Sequence, residues 1–240
     1  MTASRAMDAL QAALGHANTV MLAAILAGLI ARRRVRLWYT FALLVAAVLV
    51  PAVLTILWPA RFFRWSFWQA KETAHHVIRF AMAVELAFRT FRAFPGALVT
   101  ARRVLLMVLV LTWIAVMAVP VVVATDPANE VLALVAELQP RVVNGTVWLF
   151  TAIAALILWY RLPVHPFHKA VLLGYVPYLV VFTIVLNALG SLGWERIALL
   201  SYVSQVSYLA LVTYWAHAVW RTYPAEVASP AEKRRVAQTA

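Results

Sequence analysis

The chain has 240 residues, of which 65% are hydrophobic and only 12% are charged. A soluble domain is about 45–50% apolar and about 25% charged, so this composition excludes an ordinary soluble fold and predicts an all-α membrane protein. The net charge of +12 would suit nucleic-acid binding in a soluble protein. Here Lys and Arg lie mostly between hydrophobic segments, where they orient a membrane chain, so we expect no nucleic-acid partner. The absence of cysteine excludes disulfides, thiolate metal sites and cysteine nucleophiles.

Seven segments have the roughly 20 predominantly apolar residues that a helix needs to cross a bilayer. They are approximately 17–31, 37–58, 73–94, 104–124, 143–160, 170–189 and 197–220. In the first segment the positive cluster follows the apolar residues, which is the reverse of a secretory signal peptide, so we retain it as a span. The sequence therefore predicts a seven-helix transmembrane domain over residues 1–224 and a short disordered cytoplasmic tail over 225–240.

The connections between these spans differ in basic content. Thirteen Lys and Arg residues lie on one side of the predicted membrane, six lie on the other, and two lie within the third span. Because the more basic side of a membrane protein is normally cytoplasmic, the N-terminus is expected outside and the C-terminus inside. We accordingly predict a multi-pass protein of a cell inner membrane.

Two spans contain an internal proline, Pro51 in the second and Pro177 in the sixth, and both are expected to kink their helices. The loop before the sixth span carries His165 and His168. These histidines lack a neighbouring carboxylate or thiol that would complete a metal site.

The third span is the leading candidate for a functional site, because it alone carries many ionisable groups. Such groups cost roughly 2.5–3.5 kcal/mol each on membrane insertion, so they normally face protein or water and pair with one another. They fall into an outer and an inner group: Glu72, His75, His76 and Arg79, then Glu85, Arg89 and Arg92.

The outer group lies on one arc of the helix, and we predict that it binds a small ligand together with Gln205 and Tyr208 of the seventh span. An anion or lipid headgroup is one interpretation, and polar packing at the membrane interface is the simpler one. Sensing of pH through the histidines is a further alternative. No cofactor or metal is expected, because Lys71 and Arg79 would oppose a cation, although haem or a metal at this outer end stays an open alternative.

The inner group contains an acid followed by a base four residues later, Glu85 and Arg89, which is the favoured order for a helical ion pair. Arg92 lies where a side chain can reach the cytoplasmic headgroups. Two interpretations are left open: a structural ion pair, or proton or ion coupling through Glu85.

No catalytic residue is expected. The lysines lie at positions 71, 169 and 233, so none lies inside the last span, where a retinal Schiff base would need one. The serines of the seventh span lack the flanking glycines of a nucleophile motif, and no HExxH motif is present. An enzyme is therefore not predicted.

The segment ELAFRTFRAFP, from Glu85 to Pro95, resembles a motif of uncharacterised bacterial seven-helix membrane proteins. In that group a glutamate of the third span precedes a pattern close to FRxYP, and here Phe94 replaces the tyrosine. The resemblance implies a seven-helix fold and no particular activity. The layout is also similar to the seven-helix sensor regions of histidine kinases, although no output domain is expected here.

These features predict a non-enzymatic receptor-like or accessory module that binds a small ligand, a lipid or a partner between the third, sixth and seventh spans. The expected partners are membrane lipids, a small or anionic ligand, and a membrane-protein or cytoplasmic signalling partner. One alternative is a transporter of ions or small solutes that uses Glu85 as its coupling group. Another is a structural subunit of a larger membrane complex.

Overall fold

A computed structural model describes residues 2–92, 103, 107, 145–155, 157–159, 164–192 and 197–223. The regular structure in these ranges is entirely helical, as the composition predicts. A short 3-10 helix, Arg34–Leu37, connects the first two α-helices. The α-helices are α1 (Thr2–Ala31), α2 (Tyr39–Leu57), α3 (Pro59–Phe62), α4 (Trp65–Arg92), α5 (Gly145–Trp159), α6 (Pro166–Leu192) and α7 (Ile197–Trp220).

Three stretches are long and apolar enough to cross a membrane: Ala9–Ala31, Tyr39–Leu57 and Pro166–Val185. They correspond to the first, second and sixth predicted spans. Helices α4 and α7 have 28 and 24 residues, so they are also long enough, but their polar residues make them less apolar. Helix α5 is apolar and shorter than a full span. Apart from residue 107, the predicted fourth span lies outside the described residues, and so does the predicted tail.

Three helices begin before the spans predicted for them; one is α4, which begins at Trp65 instead of residue 73. Helix α1 begins at Thr2, and its apolar stretch begins at Ala9, well before the predicted start at residue 17. Helix α6 begins at Pro166 instead of residue 170, since the fixed backbone angle of proline suits the first turn of a helix. The backbone N–H of Phe167 donates to Nδ1 of His165 at 3.2 Å, which supports this start. His168 therefore lies in the helix, where it is buried, and not in a loop.

Helix α1 packs against α2 and α7, α7 packs against α6, and α2 packs against α4. Contacts at the helix ends show that α1, α4 and α7 run toward one end of the bundle, whereas α2 and α6 start there. The last turn of α5 lines a small apolar cleft with the first turns of α6, so α5 also ends there. We call this the basic end, because it gathers Arg32, Arg34, Arg36, Arg89, Lys169 and Arg221.

Two glycines allow α7 to approach its neighbours closely. A Cβ atom on Gly28 of α1 would lie 2.6 Å from Cγ1 of Val219, and one on Gly174 of α6 would lie 2.7 Å from Cδ1 of Tyr214. Small residues at such crossings let helix backbones pack in a membrane, where no hydrophobic force drives helices together. Helix α7 is thereby held between α1 and α6, with its polar face inside the bundle.

Candidate functional site

An arginine on α4 faces tyrosines on two other helices. The charge of Arg79 interacts electrostatically with Tyr175 and Tyr178 of α6, with Glu72 on its own helix and with Tyr208 of α7. The rings of Tyr175 and Tyr178 stack at 6.3 Å between centroids, and those of Tyr178 and Tyr208 lie 5.5 Å apart. We call Arg79 and these three tyrosines the Arg79 cluster. Within the described ranges, the guanidinium of Arg79 has no hydrogen bond or ion pair.

Several buried polar side-chain atoms of the described helices have no hydrogen-bond partner. Tyr175 is only 2% exposed, and its hydroxyl has no partner among the described residues. The same holds for Asn18 Oδ1, His76 Nε2, Thr183 Oγ1 and Gln205 Oε1 on four helices, and for Trp38 Nε1 and His168 Nδ1 at the basic end. The large majority of buried side-chain polar atoms in proteins are hydrogen-bonded, so these exceptions need a physical explanation. The bundle interior therefore offers unsatisfied donors and acceptors from α1, α4, α6 and α7.

Glu72 is neutralised by its own neighbours. Its Oε1 lies 3.1 Å from Nζ of Lys71 and 3.8 Å from Nδ1 of His75. Glu72 precedes the predicted third span. Burial alone would raise the pKa of its carboxyl, but the hydrogen bonds and charges of His75 and Lys71 outweigh burial and lower the pKa to about 2. The carboxylate is thus ionised and already paired, and it does not form an ion pair with Arg79.

His75 has a structural partner on α2. Its Nε2 lies 3.0 Å from the carbonyl oxygen of Ala47, which can only accept, so Nε2 carries the proton. Residue 51 is proline and has no N–H, so the helix itself cannot satisfy this carbonyl, which lies four residues earlier. His75 therefore replaces the hydrogen bond that Pro51 removes.

This arrangement predicts an energetic coupling between His75 and Pro51. We expect His75→Leu to lower the free energy of unfolding by about 1–3 kcal/mol, because it leaves a buried carbonyl without a donor. In a Pro51→Ala background the cost should be much smaller, since the restored N–H can bond to Ala47. Denaturation of the single and double variants in detergent measures the coupling. The matched control is His217→Leu, because His217 is exposed on α7. If His75→Leu costs the same free energy with Pro51 as with alanine at position 51, His75 does not replace the missing hydrogen bond.

Glu85 connects α4 to the start of α2. Its Oε2 accepts hydrogen bonds from the backbone N–H of Thr40 at 3.0 Å and from Oγ1 of Thr40 at 2.6 Å. Its Oε1 lies 2.6 Å from Nη2 and 2.7 Å from Nε of Arg89. Trp38, the N-cap residue of α2, provides no side-chain cap, so the carboxylate of Glu85 caps that helix from outside.

A second buried arginine lies at the basic end. Arg34 is 1% exposed and donates to backbone carbonyls at the end of α7: Ala218 at 3.0 Å, Arg221 at 2.6 Å and also Val219. Its guanidinium lies 4.9 Å from the ring centroid of Tyr223 and 5.5 Å from that of Phe167. Arg34 therefore caps the C-terminus of α7 and connects the 3-10 helix to α6 and α7.

The structure separates the residues that the sequence predicted as one outer group. His76 and Arg79 face the bundle interior with Gln205 and Tyr208, whereas His75 bonds to α2 and Glu72 pairs with Lys71. The side chain of Arg92 lies outside the described part of the chain. Tyr175 and Tyr178 of the sixth span were not included in the candidate site predicted from the sequence. Their spacing of three residues, which puts them on one helix face, was the available signal.

Within the described ranges, no group of three or more His, Asp or Glu side chains is placed to hold a metal ion. No family model, curated protein or solved structure matches the chain. The geometry of the Arg79 cluster is therefore the basis for any statement about function.

Proposed function

We propose that this protein is a non-enzymatic, receptor-like or accessory module of a cell inner membrane that binds a small ligand inside its helix bundle. One observation carries the proposal: buried polar side-chain atoms without a hydrogen-bond partner among the described residues occur on α1, α4, α6 and α7. A polar atom buried in this way costs free energy unless a partner is supplied, and a bound ligand supplies one. Ligand sites in helical bundles are commonly built from inward-facing side chains of several helices.

A seven-span topology is consistent with the helix directions. Helices α4 and α5 both end at the basic end, which is the arrangement that a seven-span topology requires of its third and fifth spans. The positive-inside tendency then favours a cytoplasmic basic end. The N-terminus would lie outside, and the Arg79 cluster would lie within the membrane-embedded bundle.

Glu85 is not part of the proposed ligand site. Its two oxygens accept hydrogen bonds from Thr40 and Arg89. A transporter that used Glu85 to carry protons or ions would have to break these bonds each time the carboxylate is protonated. This geometry favours the structural interpretation of the Glu85–Arg89 pair over the transporter alternative.

The experiment compares Tyr175→Phe with the unmodified protein, by native mass spectrometry from mild detergent and by thermal melting. If the hydroxyl serves a ligand, its removal should reduce the retained small-molecule mass and raise the melting temperature of the ligand-free protein, because an unsatisfied buried group is lost. Tyr202→Phe is the matched control, since Tyr202 lies on α7 with an exposed side chain, and it should change neither quantity.

The opposite result would contradict the proposal. If Tyr175→Phe lowers the melting temperature and no small-molecule mass is retained by either protein, the hydroxyl has a structural function. Subunits that co-purify in stoichiometric amounts would instead support the alternative of a structural subunit in a larger complex.

A further inference from the structure

A small apolar cleft opens between α5 and α6 at the basic end, with a volume of about 130 Å³. Helix α5 contributes Ala154, Ile157 and Leu158, which recur at spacings of three and four and so share one face of that helix. Almost all of the exposed surface inside the cleft is apolar. The cleft therefore suits a hydrocarbon ligand, because polar groups placed there would lose their hydration without gaining partners.

The cleft extends along α6. Five residues of this helix line it, and they recur at the spacings of a single helix face: Lys169, Leu172, Leu173, Val176 and Pro177. At a rise of about 1.5 Å per residue, the stretch from Lys169 to Pro177 covers about 12 Å of the helix axis. A site of this length between two helices matches a stretch of an acyl chain that runs parallel to them.

One end of the cleft is positively charged. Lys169 is the single charged residue among those that line it, and it lies in the first turn of α6, at the basic end. Its side chain is half-buried, and its ammonium group forms no ion pair with a described residue. Lysine commonly lays its aliphatic stem along apolar surface and extends its charge toward the headgroups. The cleft thus combines an apolar body with a cationic end that can accept an anion.

The surface beside the cleft indicates that it opens toward lipid. The side chains of Leu158 and Leu173 on its rim are 54% and 51% exposed, and that of the neighbouring Trp159 is 84% exposed. In a membrane protein such leucines contact acyl chains, and tryptophan is concentrated at the level of the headgroups. An acyl chain can therefore enter the cleft directly from the bilayer.

From these observations we infer that the cleft binds one anionic phospholipid, with part of an acyl chain between α5 and α6 and the phosphate beside Lys169. Charge complementarity selects this occupant, because a lipid without net charge or an apolar helix of a second copy would leave the ammonium group without a counter-charge. The inference goes beyond the proposed interior site, since none of the residues whose unpartnered atoms carry that site lines the cleft.

The test titrates the full chain in mild detergent with dioleoyl phosphatidylglycerol, with dioleoyl phosphatidylcholine and with inorganic phosphate. Native mass spectrometry counts the bound lipids, and thermal melting follows the stabilisation that binding produces. Phosphatidylglycerol should bind about fivefold more tightly than phosphatidylcholine, which is the preference that one lysine near an anionic headgroup supplies. Inorganic phosphate should have little effect, because it lacks the acyl chain that fills the cleft.

The charged end is tested at Lys169. Lys169→Gln should lower the affinity for phosphatidylglycerol about fivefold and leave that for phosphatidylcholine unchanged, whereas Lys169→Arg should keep the preference. Arg36→Gln is the matched control, because Arg36 is exposed at the same end and does not line the cleft. It removes the same charge from the basic end and should leave both affinities unchanged.

The apolar part is tested by filling the cleft. Ala154→Leu should weaken binding of both lipids about tenfold, because its added carbon atoms take the place of the acyl chain. Ala152→Leu is the matched control, since Ala152 is exposed on the same helix outside the cleft. Leu173→Trp fills the cleft from α6 and gives the same test if Ala154→Leu does not fold.

Several results would overturn the inference. They are equal binding of the two lipids to the unmodified protein, a preference for phosphatidylglycerol that survives Lys169→Gln, and binding of inorganic phosphate as tight as that of phosphatidylglycerol. Lipid affinities that neither Ala154→Leu nor Leu173→Trp changes would place the lipid elsewhere. A stable dimer that these two variants dissociate would instead identify a second copy of the chain as the occupant.

Discussion

Replacing Arg34 with alanine is expected to lower the free energy of unfolding by about 3–5 kcal/mol. The substitution removes the donor for three backbone carbonyls at the end of α7. A hydrogen bond from a charged donor contributes about 1.5–3 kcal/mol, but the three bonds share one guanidinium and are not additive, so the loss stays below their sum. It also removes the contacts of the guanidinium with the rings of Phe167 and Tyr223, which contribute roughly 0.5–2 kcal/mol each. Denaturation by SDS titration in detergent micelles measures the loss.

The matched control is Arg36→Ala, because Arg36 lies in the same 3-10 helix with an exposed side chain. Both variants lose one positive charge from the same end, so a change in topology or net charge would affect them alike. Arg34→Lys should recover only part of the stability, since one ammonium group cannot reach all three carbonyls. Similar losses for Arg34→Ala and Arg36→Ala would show that the buried cap contributes little.

The second large effect is expected at Glu85. We expect Glu85→Ala to lower the free energy of unfolding by about 2–4 kcal/mol, because it leaves the N–H of Thr40 without its cap and Arg89 without its counter-charge. Glu85→Gln should cost about half as much, since its amide oxygen still accepts from Thr40. The same SDS titration gives both values.

A double-mutant cycle identifies the contact responsible. Thr40→Val removes the hydroxyl that lies 2.6 Å from Glu85, so its cost should fall by about 1 kcal/mol or more in the Glu85→Ala background. Thr213→Val on the exposed face of α7 should show no coupling with Glu85→Ala. If the free-energy costs of Thr40→Val and Thr213→Val both add to that of Glu85→Ala, Glu85 does not cap α2. Proton or ion coupling in transport then becomes the better explanation for Glu85.

Much of the architecture followed from local patterns in the sequence. Long apolar segments predicted the helices that are able to cross a membrane, and three of them meet that description in the structure. The order of Glu85 and Arg89 predicted an ion pair because residues four apart on a helix always lie side by side. Pro166 shows the limit of such patterns, because a proline was treated as part of a loop although it begins α6.

The candidate site was predicted only in part, because the face of α4 does not specify its partners. A helical arc groups Glu72, His75, His76 and Arg79, yet His75 bonds to the carbonyl of Ala47 on α2, whereas Arg79 interacts electrostatically with tyrosines of α6 and α7. Which neighbour each residue meets depends on how α2, α6 and α7 pack around α4.

The sequence by itself determined that this protein is helical, suited to a membrane and basic at one end, because composition and spacing are properties of each segment alone. The tertiary structure decided which charged residues are buried and what they contact. Arg34 belongs to a run of arginines whose sequence pattern predicts only the orientation of the chain in the membrane. Helix packing buries Arg34 against the end of α7 and leaves Arg36 exposed. Such contacts join residues more than 180 positions apart, so no local pattern contains them.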